Sequence, residues 1–253
     1  MAAIDRALII RREGNKRSSE YAQVCAASLE RNNTKSEFIQ AVENLPAERA
    51  AEAIGMKLPQ KKPEGTENTV FDHPECLEMG NVCCTASHIK AWKRIVEIGE
   101  PCAILEHDAF VLRNFRNFQV EDDHLYFLGP RMRDTRTYVP KSRVRRLIQI
   151  PAAIGTHGYA ITPKTAERLL KDIEDKGLIY GIDWYLFMGN ECKLPIIAAD
   201  PYPLICWSRE STMGDHGEKS DVVRGVWSGQ NDQNIFGCVT PGLLEGLGCP
   251  VHV

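Results

Sequence analysis

The chain has 253 residues, 43% of them hydrophobic and 26% charged, which is the composition of an ordinary folded protein. A formal net charge of −3 gives no overall electrostatic reason to bind nucleic acid or an anionic membrane. No apolar run is long enough to span a bilayer, and charge comes too early for a signal peptide, so we expect a cytoplasmic protein without a transmembrane segment.

Nine cysteines are present, and no two of them are spaced as Cys-x-x-Cys. This spacing argues against a zinc ribbon, and the odd, irregular set argues against a secreted disulfide framework. We therefore expect reduced thiols.

The chain begins with a β-prone apolar run at residues 7–10, followed by a basic turn that includes Arg11 and Arg17. Ser18 or Ser19 can cap the helix that follows. A strand, a turn and a helix form one unit of an α/β fold. The amides and arginines of such a turn could hold the phosphates or base of a nucleotide, although a solvated loop fits the same residues.

Residues 38–43 are predicted to form a second strand that ends in an acid, Glu43. A short helix is expected between residues 46 and 54. The Pro, Lys, Gly and Glu content of residues 57–67 indicates an exposed loop after it.

A helix is expected to begin at Thr85 or Ser87, because apolar residues then recur at helical spacing until Gly99. Ser87 and His88 would lie on its first turn, close to whatever binds at the helix start. A histidine hydrogen-bonded within the core is the alternative for His88.

The central stretch is the apolar run that begins at Cys102 and ends in Glu106-His107-Asp108. As a buried strand it would deliver both acids to its carboxyl end, where open α/β sheets bind ligands. Strand alternation would place Glu106 and Asp108 on one face and His107 on the other. Two neighbouring carboxylates suit magnesium or manganese, and solvated acids at a strand end are the alternative.

The second half of the chain predicts further strands at residues 125–129, 152–161 and 194–198, and a helix between Thr162 and Gly177. Residues 131–146 carry seven basic residues and one acid, which fits either a grip on an anionic ligand or an exposed loop. Asp183 precedes an aromatic run, which fits a sugar-binding site or a helix cap. Polar residues 208–221 could form a lid.

Five blocks in this order together resemble glycosyltransferase family 25, the lipopolysaccharide-type and collagen-type sugar transferases. The first two blocks are the strand at residues 7–10 with its Arg-containing turn, and the strand at residues 38–43 that ends in Glu43. The most specific is the Ser-His helix at 84–92 leading into Ile-Leu-Glu-His-Asp at 104–108, followed by Gly-Tyr-Ala-Ile-Thr at 158–162 and Ile-Asp-Trp-Tyr-Leu at 182–186. The departure is His107, where the family usually has aspartate.

The resemblance implies an α/β fold of the GT-A type, a Rossmann-like mixed sheet flanked by helices in a single domain. Residues 1–222 would form the catalytic domain and residues 223–253 an extension of unknown role. The implied reaction is inverting transfer of galactose or glucose from a UDP-sugar to a glycan or other hydroxyl acceptor, as in lipopolysaccharide biosynthesis.

The resemblance also assigns residue roles. A divalent metal, manganese or else magnesium, would bind Glu106 and Asp108, with His157 and His216 as further metal or diphosphate contacts, and Asp183 would be the base or position the acceptor. Donor-binding roles fall to Arg11, Arg17, Glu43, Ser87 and His88. Two alternatives stay open: an inactive nucleotide-sugar or glycan-binding module of the same fold, suggested by His107, and a metal phosphohydrolase that uses residues 106–108.

Overall fold

The computed structural model describes residues 2–72, 81–115, 118–129, 146–153, 155–200 and 202–206. Within these ranges the strands are β1 (Ala2–Ala3), β2 (Arg6–Arg11), β3 (Lys35–Gln40), β4 (Cys102–Glu106), β5 (Ala109–Val111), β6 (Gln119–Val120), β7 (Leu125–Phe127), β8 (Arg146–Ile150), β9 (Gly158–Ile161), β10 (Ile196–Asp200) and β11 (Leu204–Cys206). The α-helices are α1 (Lys16–Arg31), α2 (Ala47–Ala53), α3 (Asn81–Ile98) and α4 (Pro163–Lys176). A 3₁₀ turn covers Val70–Asp72 and a π-helical turn covers Trp184–Met188.

Seven strands form one mixed sheet in the order β3-β2-β4-β9-β7-β10-β8. Strands β3, β2 and β4 are parallel, β9 is antiparallel to both β4 and β7, β7 and β10 are parallel, and β8 runs antiparallel at the edge. Two small antiparallel pairs, β1 with β6 and β5 with β11, complete the described strands. The predicted single α/β domain, with a mixed sheet flanked by helices, is confirmed.

The two faces of the sheet bury two separate apolar clusters, because side chains alternate along each strand. In β4, Cys102 and Ile104 join the cluster that includes Trp92 of α3 and Leu169 of α4. Ala103 and Leu105 join the cluster on the opposite face, which is covered by α1 and by strands β5 and β11. This alternation determines which helix meets each side chain at the end of β4.

Several element boundaries differ from the expected ones. Strand β3 begins and ends three residues earlier than predicted, and α1 begins at Lys16 because the Asn15 side chain accepts a hydrogen bond from the Ser18 amide at 2.9 Å. Helix α3 begins at Asn81, so Ser87 and His88 lie in its second turn rather than its first. Helix α4 matches the prediction, with Thr162 as its cap and Pro163 at its first position.

The expectation that Glu106 and Asp108 share one strand face is wrong. Strand β4 ends at Glu106, and the chain turns at His107 and Asp108 before β5 begins. Period-two alternation holds only within extended backbone, so it does not extend to Asp108, and the two acids belong to different groups of side chains.

Candidate functional site

The candidate site lies at the carboxyl end of β4, beside the start of β9. Because β9 runs antiparallel to β4, its first residues meet the last residues of β4, and the Glu106 amide donates to the His157 carbonyl at 3.0 Å. The alternation in β4 turns Glu106 toward α3, where His88 lies. Side chains from α3, β4 and the segment before β9 therefore converge at one place.

Glu106 is held by a hydroxyl and two imidazoles. Its Oε1 accepts from Thr156 Oγ1 at 2.8 Å and lies 3.7 Å from His88 Nε2, while its Oε2 lies 3.3 Å from His157 Nδ1. Burial by itself raises the pKa of Glu106, but the charge and hydrogen bond of His157, together with His88, outweigh burial and hold the pKa well below its ordinary value. Glu106 is therefore an ionised carboxylate at neutral pH.

Asp183 reaches the same place from a distant part of the chain. Its Oδ1 lies 2.7 Å from Thr156 Oγ1, and its side chain makes no capping bond to the π-helical turn that follows it. One hydroxyl proton cannot serve two carboxylates, so at any moment Thr156 donates to only one of Glu106 and Asp183. The other carboxylate therefore needs a different hydrogen-bond donor, such as a water molecule or a ligand hydroxyl.

A buried hydrogen-bond chain favours one tautomer of His88. Trp92 Nε1, which can only donate, lies 2.8 Å from the Tyr159 hydroxyl, and that hydroxyl lies 3.0 Å from His88 Nδ1. Because the oxygen accepts from Trp92, its own proton can go to His88 Nδ1. A neutral His88 then carries its proton on Nε2, the nitrogen that faces Glu106.

Asp108 is buried, at 4% exposure, in the turn after β4. Its Oδ2 accepts from the Cys206 thiol at 3.1 Å, and its Oδ1 has no hydrogen-bond partner among the described residues. Burial and then the charge of Asp108 raise the pKa of Cys206 to about 11, so the thiol is protonated at neutral pH. Burial lowers the pKa of His157, but its contacts with Cys206 and with the ionised Glu106 outweigh burial and hold the pKa well above its ordinary value.

Within the described ranges, two groups of side chains place potential metal-ligand atoms within 4.8 Å of one another. Cys84, His88 and Glu106 form one group, and Asp108, His157 and Cys206 form the other. The two acids expected to share an ion thus belong to different groups, each with a sulfur and an imidazole nitrogen. Manganese and magnesium favour sets of oxygen ligands, so neither group fits the expected ion.

The residues predicted to bind the donor lie around the same edge of the sheet. The Arg11 guanidinium stacks 4.2 Å from the centre of the Phe38 ring, and Glu43 pairs with the neighbouring Arg12 at 2.8 Å. Ser87 accepts from the Val42 amide at 2.9 Å and donates to the Cys83 carbonyl at 2.7 Å. The hydrogen bond between Ser87 and Val42 joins α3 to the segment that follows β3.

Arg17 is connected to the turn after β4 through stacked rings. Its guanidinium lies 5.5 Å from the centre of the Tyr21 ring, which stacks on His107 with 6.1 Å between ring centres. His107, at the position where the family usually has an acid, thus packs against α1. The donor-binding roles of Arg11, Arg17, Glu43, Ser87 and His88 stay predictions.

Some predicted features lie outside the described residues. They are His216, the lid at residues 208–221, the extension at residues 223–253 and almost all of the basic segment, residues 131–145. In the part of the chain that is described, no helix combines the length and the apolar character needed to cross a membrane.

Sequence reasoning missed three residues of the site: Cys84, Thr156 and Cys206. Cys84 precedes His88 by four residues, so both lie on one helix face, a signal that a helix beginning at Thr85 concealed. Thr156 and Cys206 belong to segments whose proximity to β4 depends on sheet pairing, with Cys206 opposite Ala109. No local pattern identifies them.

The fold and the site together define a class. Acids and imidazoles converge at the carboxyl end of a parallel strand in an α/β sheet, which is where such sheets bind small ligands. The chain is thus an α/β domain with a polar candidate site at that edge of its sheet.

The chain belongs to glycosyltransferase family 25, described as LPS biosynthesis protein, whose profile matches residues 16–185. This match confirms the resemblance drawn from the sequence blocks. No curated protein matches significantly. Eleven chains of solved structures do.

One of these is the crystal structure of the apo-form glycosyltransferase GlyE from Streptococcus pneumoniae TIGR4, with 14% identity and a TM-score of 0.34. That match covers 68% of this chain but only 38% of the GlyE chain. A TM-score this low does not justify comparing the candidate site of this chain with the site of GlyE.

Proposed function

We propose that this protein is a glycosyltransferase that moves a hexose, galactose or glucose, from a UDP-sugar to a hydroxyl of a glycan or similar acceptor. Membership of glycosyltransferase family 25 supports the reaction class. The single structural observation that carries the proposal is the meeting of Glu106 and Asp183 on the hydroxyl of Thr156, at 2.8 and 2.7 Å. Residues far apart in the sequence thereby supply two carboxylates to one place.

The proposed chemistry divides the two acids by their surroundings. Glu106 is surrounded by His88, His157 and Thr156, which stabilise its charge, so it suits binding and orientation of positive or hydroxyl groups. Asp183 has Thr156 as its hydrogen-bond partner and suits the role of base toward the acceptor hydroxyl. In an inverting transfer, the acceptor oxygen bonds to the anomeric carbon on one face while the UDP oxygen leaves from the other, and Asp183 takes the acceptor proton.

Manganese bound jointly by Glu106 and Asp108 stays a prediction. When bound in glycosyl transfer, such an ion supplies positive charge to the departing diphosphate. The donor atoms around the two acids include sulfur and nitrogen and fall into two groups, which does not fit an oxygen-ligated ion. The proposed roles of Glu106, Thr156 and Asp183 therefore include no step through this metal.

A donor screen followed by a turnover assay tests the proposal. UDP-galactose or UDP-glucose should raise the melting temperature of the protein, because a ligand that binds only the folded state stabilises it. With a panel of glycan acceptors the wild-type protein should then release UDP. The Asp183→Asn variant should keep the donor-induced shift but lose about 10²- to 10⁴-fold in turnover, which is the usual contribution of a base.

The matched control is Asp175→Asn, a change on the exposed surface of α4 that should leave turnover unchanged. Full activity of Asp183→Asn would show that Asp183 is not the base. Donor binding without turnover for every acceptor tried would favour the inactive binding module, a reading motivated by His107. Turnover of phosphate esters without a sugar nucleotide would favour the phosphohydrolase.

A further inference from the structure

We propose that Asp108, His157 and Cys206 form a zinc-binding site beside the proposed glycosyl-transfer site. Their ligand atoms all lie within 4.8 Å of one another, and all three side chains are buried. Zinc bonds of about 2.0 to 2.3 Å in a tetrahedron place ligand atoms roughly 3 to 4 Å apart. The Asp108 Oδ2 to Cys206 Sγ distance of 3.1 Å is in that range.

The fold brings the three ligands together from three segments. Asp108 lies in the turn after β4, and His157 immediately precedes β9, the neighbour of β4 in the sheet. Cys206 ends β11, whose pairing with β5 sets it opposite Ala109, the residue after Asp108. Each ligand lies in or next to a hydrogen-bonded strand, so strand pairing brings the group together.

The charge of Asp108 is the second observation. Its carboxylate is 4% exposed, its Oδ1 has no hydrogen-bond partner, and among the described residues no lysine or arginine forms an ion pair with it. A buried carboxylate oxygen that accepts no hydrogen bond is costly. A divalent ion at this position would satisfy the free oxygen and balance the charge.

His157 is oriented as metal-binding histidines are. Its Nδ1 lies 3.3 Å from Glu106 Oε2, which leaves Nε2 for a metal. A side chain at Gly155, where φ is +87°, would come within 2.4 Å of Nε2, so this glycine keeps the approach to that nitrogen clear. A carboxylate on the far nitrogen of a metal-bound histidine fixes the tautomer and strengthens the ligand.

The chemical type of the ligand atoms indicates which metal would bind. Thiolate and imidazole ligands favour zinc, whereas calcium, magnesium and manganese favour oxygen. One Cys, one His and one Asp supply three ligands and leave one position of a tetrahedral ion for another group. Zinc binding would displace the thiol proton of Cys206, and this site would stand whether or not the chain transfers a sugar.

Metal analysis of the purified full chain tests the site directly. After dialysis with excess zinc and removal of loosely bound metal, the wild-type protein should retain about one zinc per chain. Cobalt substitution should give the near-ultraviolet absorption of a cobalt-thiolate bond and the intense visible bands of a tetrahedral ion. Wild-type protein that retains no zinc, or a cobalt complex without the thiolate band, would overturn the proposal without any variant.

Four substitutions locate the metal. Cys206→Ser should abolish the cobalt-thiolate band and reduce retained zinc to near zero, whereas Cys102→Ser, an equally buried cysteine at the other end of β4, should retain both. Glu106→Gln should keep the band but weaken zinc affinity about 10- to 100-fold. Zinc that is kept in Cys206→Ser and lost in Cys84→Ser would assign the metal to the other group and contradict the proposal.

Discussion

At the scale of single residues, Glu106 and His157 form a buried ion pair, with 3.3 Å between Oε2 and Nδ1. Each shifts the pKa of the other toward its charged form, Glu106 downward and His157 upward, and in each case burial opposes the shift. The pair holds the end of β4 against the start of β9. Its contribution to the free energy of unfolding therefore depends on the ionisation of both groups.

The pH dependence of stability follows from the two shifts. The contribution of Glu106 is complete above its ordinary pKa of 4.5 and is lost as pH falls through its lowered pKa in the folded protein. The contribution of His157 is complete below its ordinary pKa of 6.5 and is lost as pH rises through its raised pKa. In metal-free protein the pair should stabilise the fold fully only between these two values.

Urea unfolding of wild type and Glu106→Gln, with a chelator present, checks this expectation. Between pH 4.5 and 6.5 the variant should be less stable than wild type by about 1 to 3 kcal/mol, the range for hydrogen bonds to charged groups. Below and above this pH window the difference in stability should shrink. Glu174→Gln, an exposed change on α4, is the control and should show no such profile. A difference that does not vary with pH would contradict the assignment of the two ionised groups.

At the scale of elements, α3 is joined to β9 by one buried hydroxyl. The Tyr159 hydroxyl accepts from Trp92 and is hydrogen-bonded to His88, and both of these α3 residues are buried, at 0% and 1% exposure. The helix thus reaches the sheet through polar contacts inside an apolar cluster. This arrangement orients His88 toward Glu106 as well as stabilising the packing of α3.

A double-mutant cycle measures this connection. Tyr159→Phe should destabilise the protein by about 1 to 3 kcal/mol, because the Trp92 indole N–H then remains buried without an acceptor. In a Trp92→Phe background the same change should cost less, since that donor is absent. Additive effects in urea unfolding would show that the Tyr159 hydroxyl does not serve Trp92.

At the scale of the whole molecule, the main sheet and the small β5-β11 pair approach each other at two glycines. A Cβ on Gly129, after β7, would lie 2.1 Å from the backbone oxygen of Leu204 in β11. A Cβ on Gly158, in β9, would lie 2.5 Å from the end of the Leu204 side chain. This close contact also brings Cys206 near His157.

Three glycine-to-alanine variants test how rigid the contact is. Gly129→Ala should cost about 3 kcal/mol or more, because backbone must move, and Gly158→Ala about 1 to 3 kcal/mol, because a leucine end can shift. Gly14→Ala, with nothing within 4 Å of the added carbon, should change stability by less than about 0.5 kcal/mol. Thermal or urea unfolding measures the stability lost in each variant. A larger loss of stability for Gly158→Ala than for Gly129→Ala would contradict the expected order.

The sequence by itself determined the features that depend on neighbouring residues. The apolar runs, the helix from Pro163 to Lys176 with its cap, and the acids that follow β4 are all local patterns, and they were sufficient for the fold class and the family. Boundaries that depend on caps and pairing, as in α1, α3 and β3, were shifted by three to six residues.

Only the tertiary structure decided which acids share a site. Asp183 and Glu106 both contact the Thr156 hydroxyl. Asp108, which is closer to Glu106 in the sequence, instead groups with His157 and Cys206. The physical reason is that sheet order and the turn after Glu106 set these distances. Strand pairing joins residues separated by fifty or more positions, and no local pattern along the chain encodes that pairing.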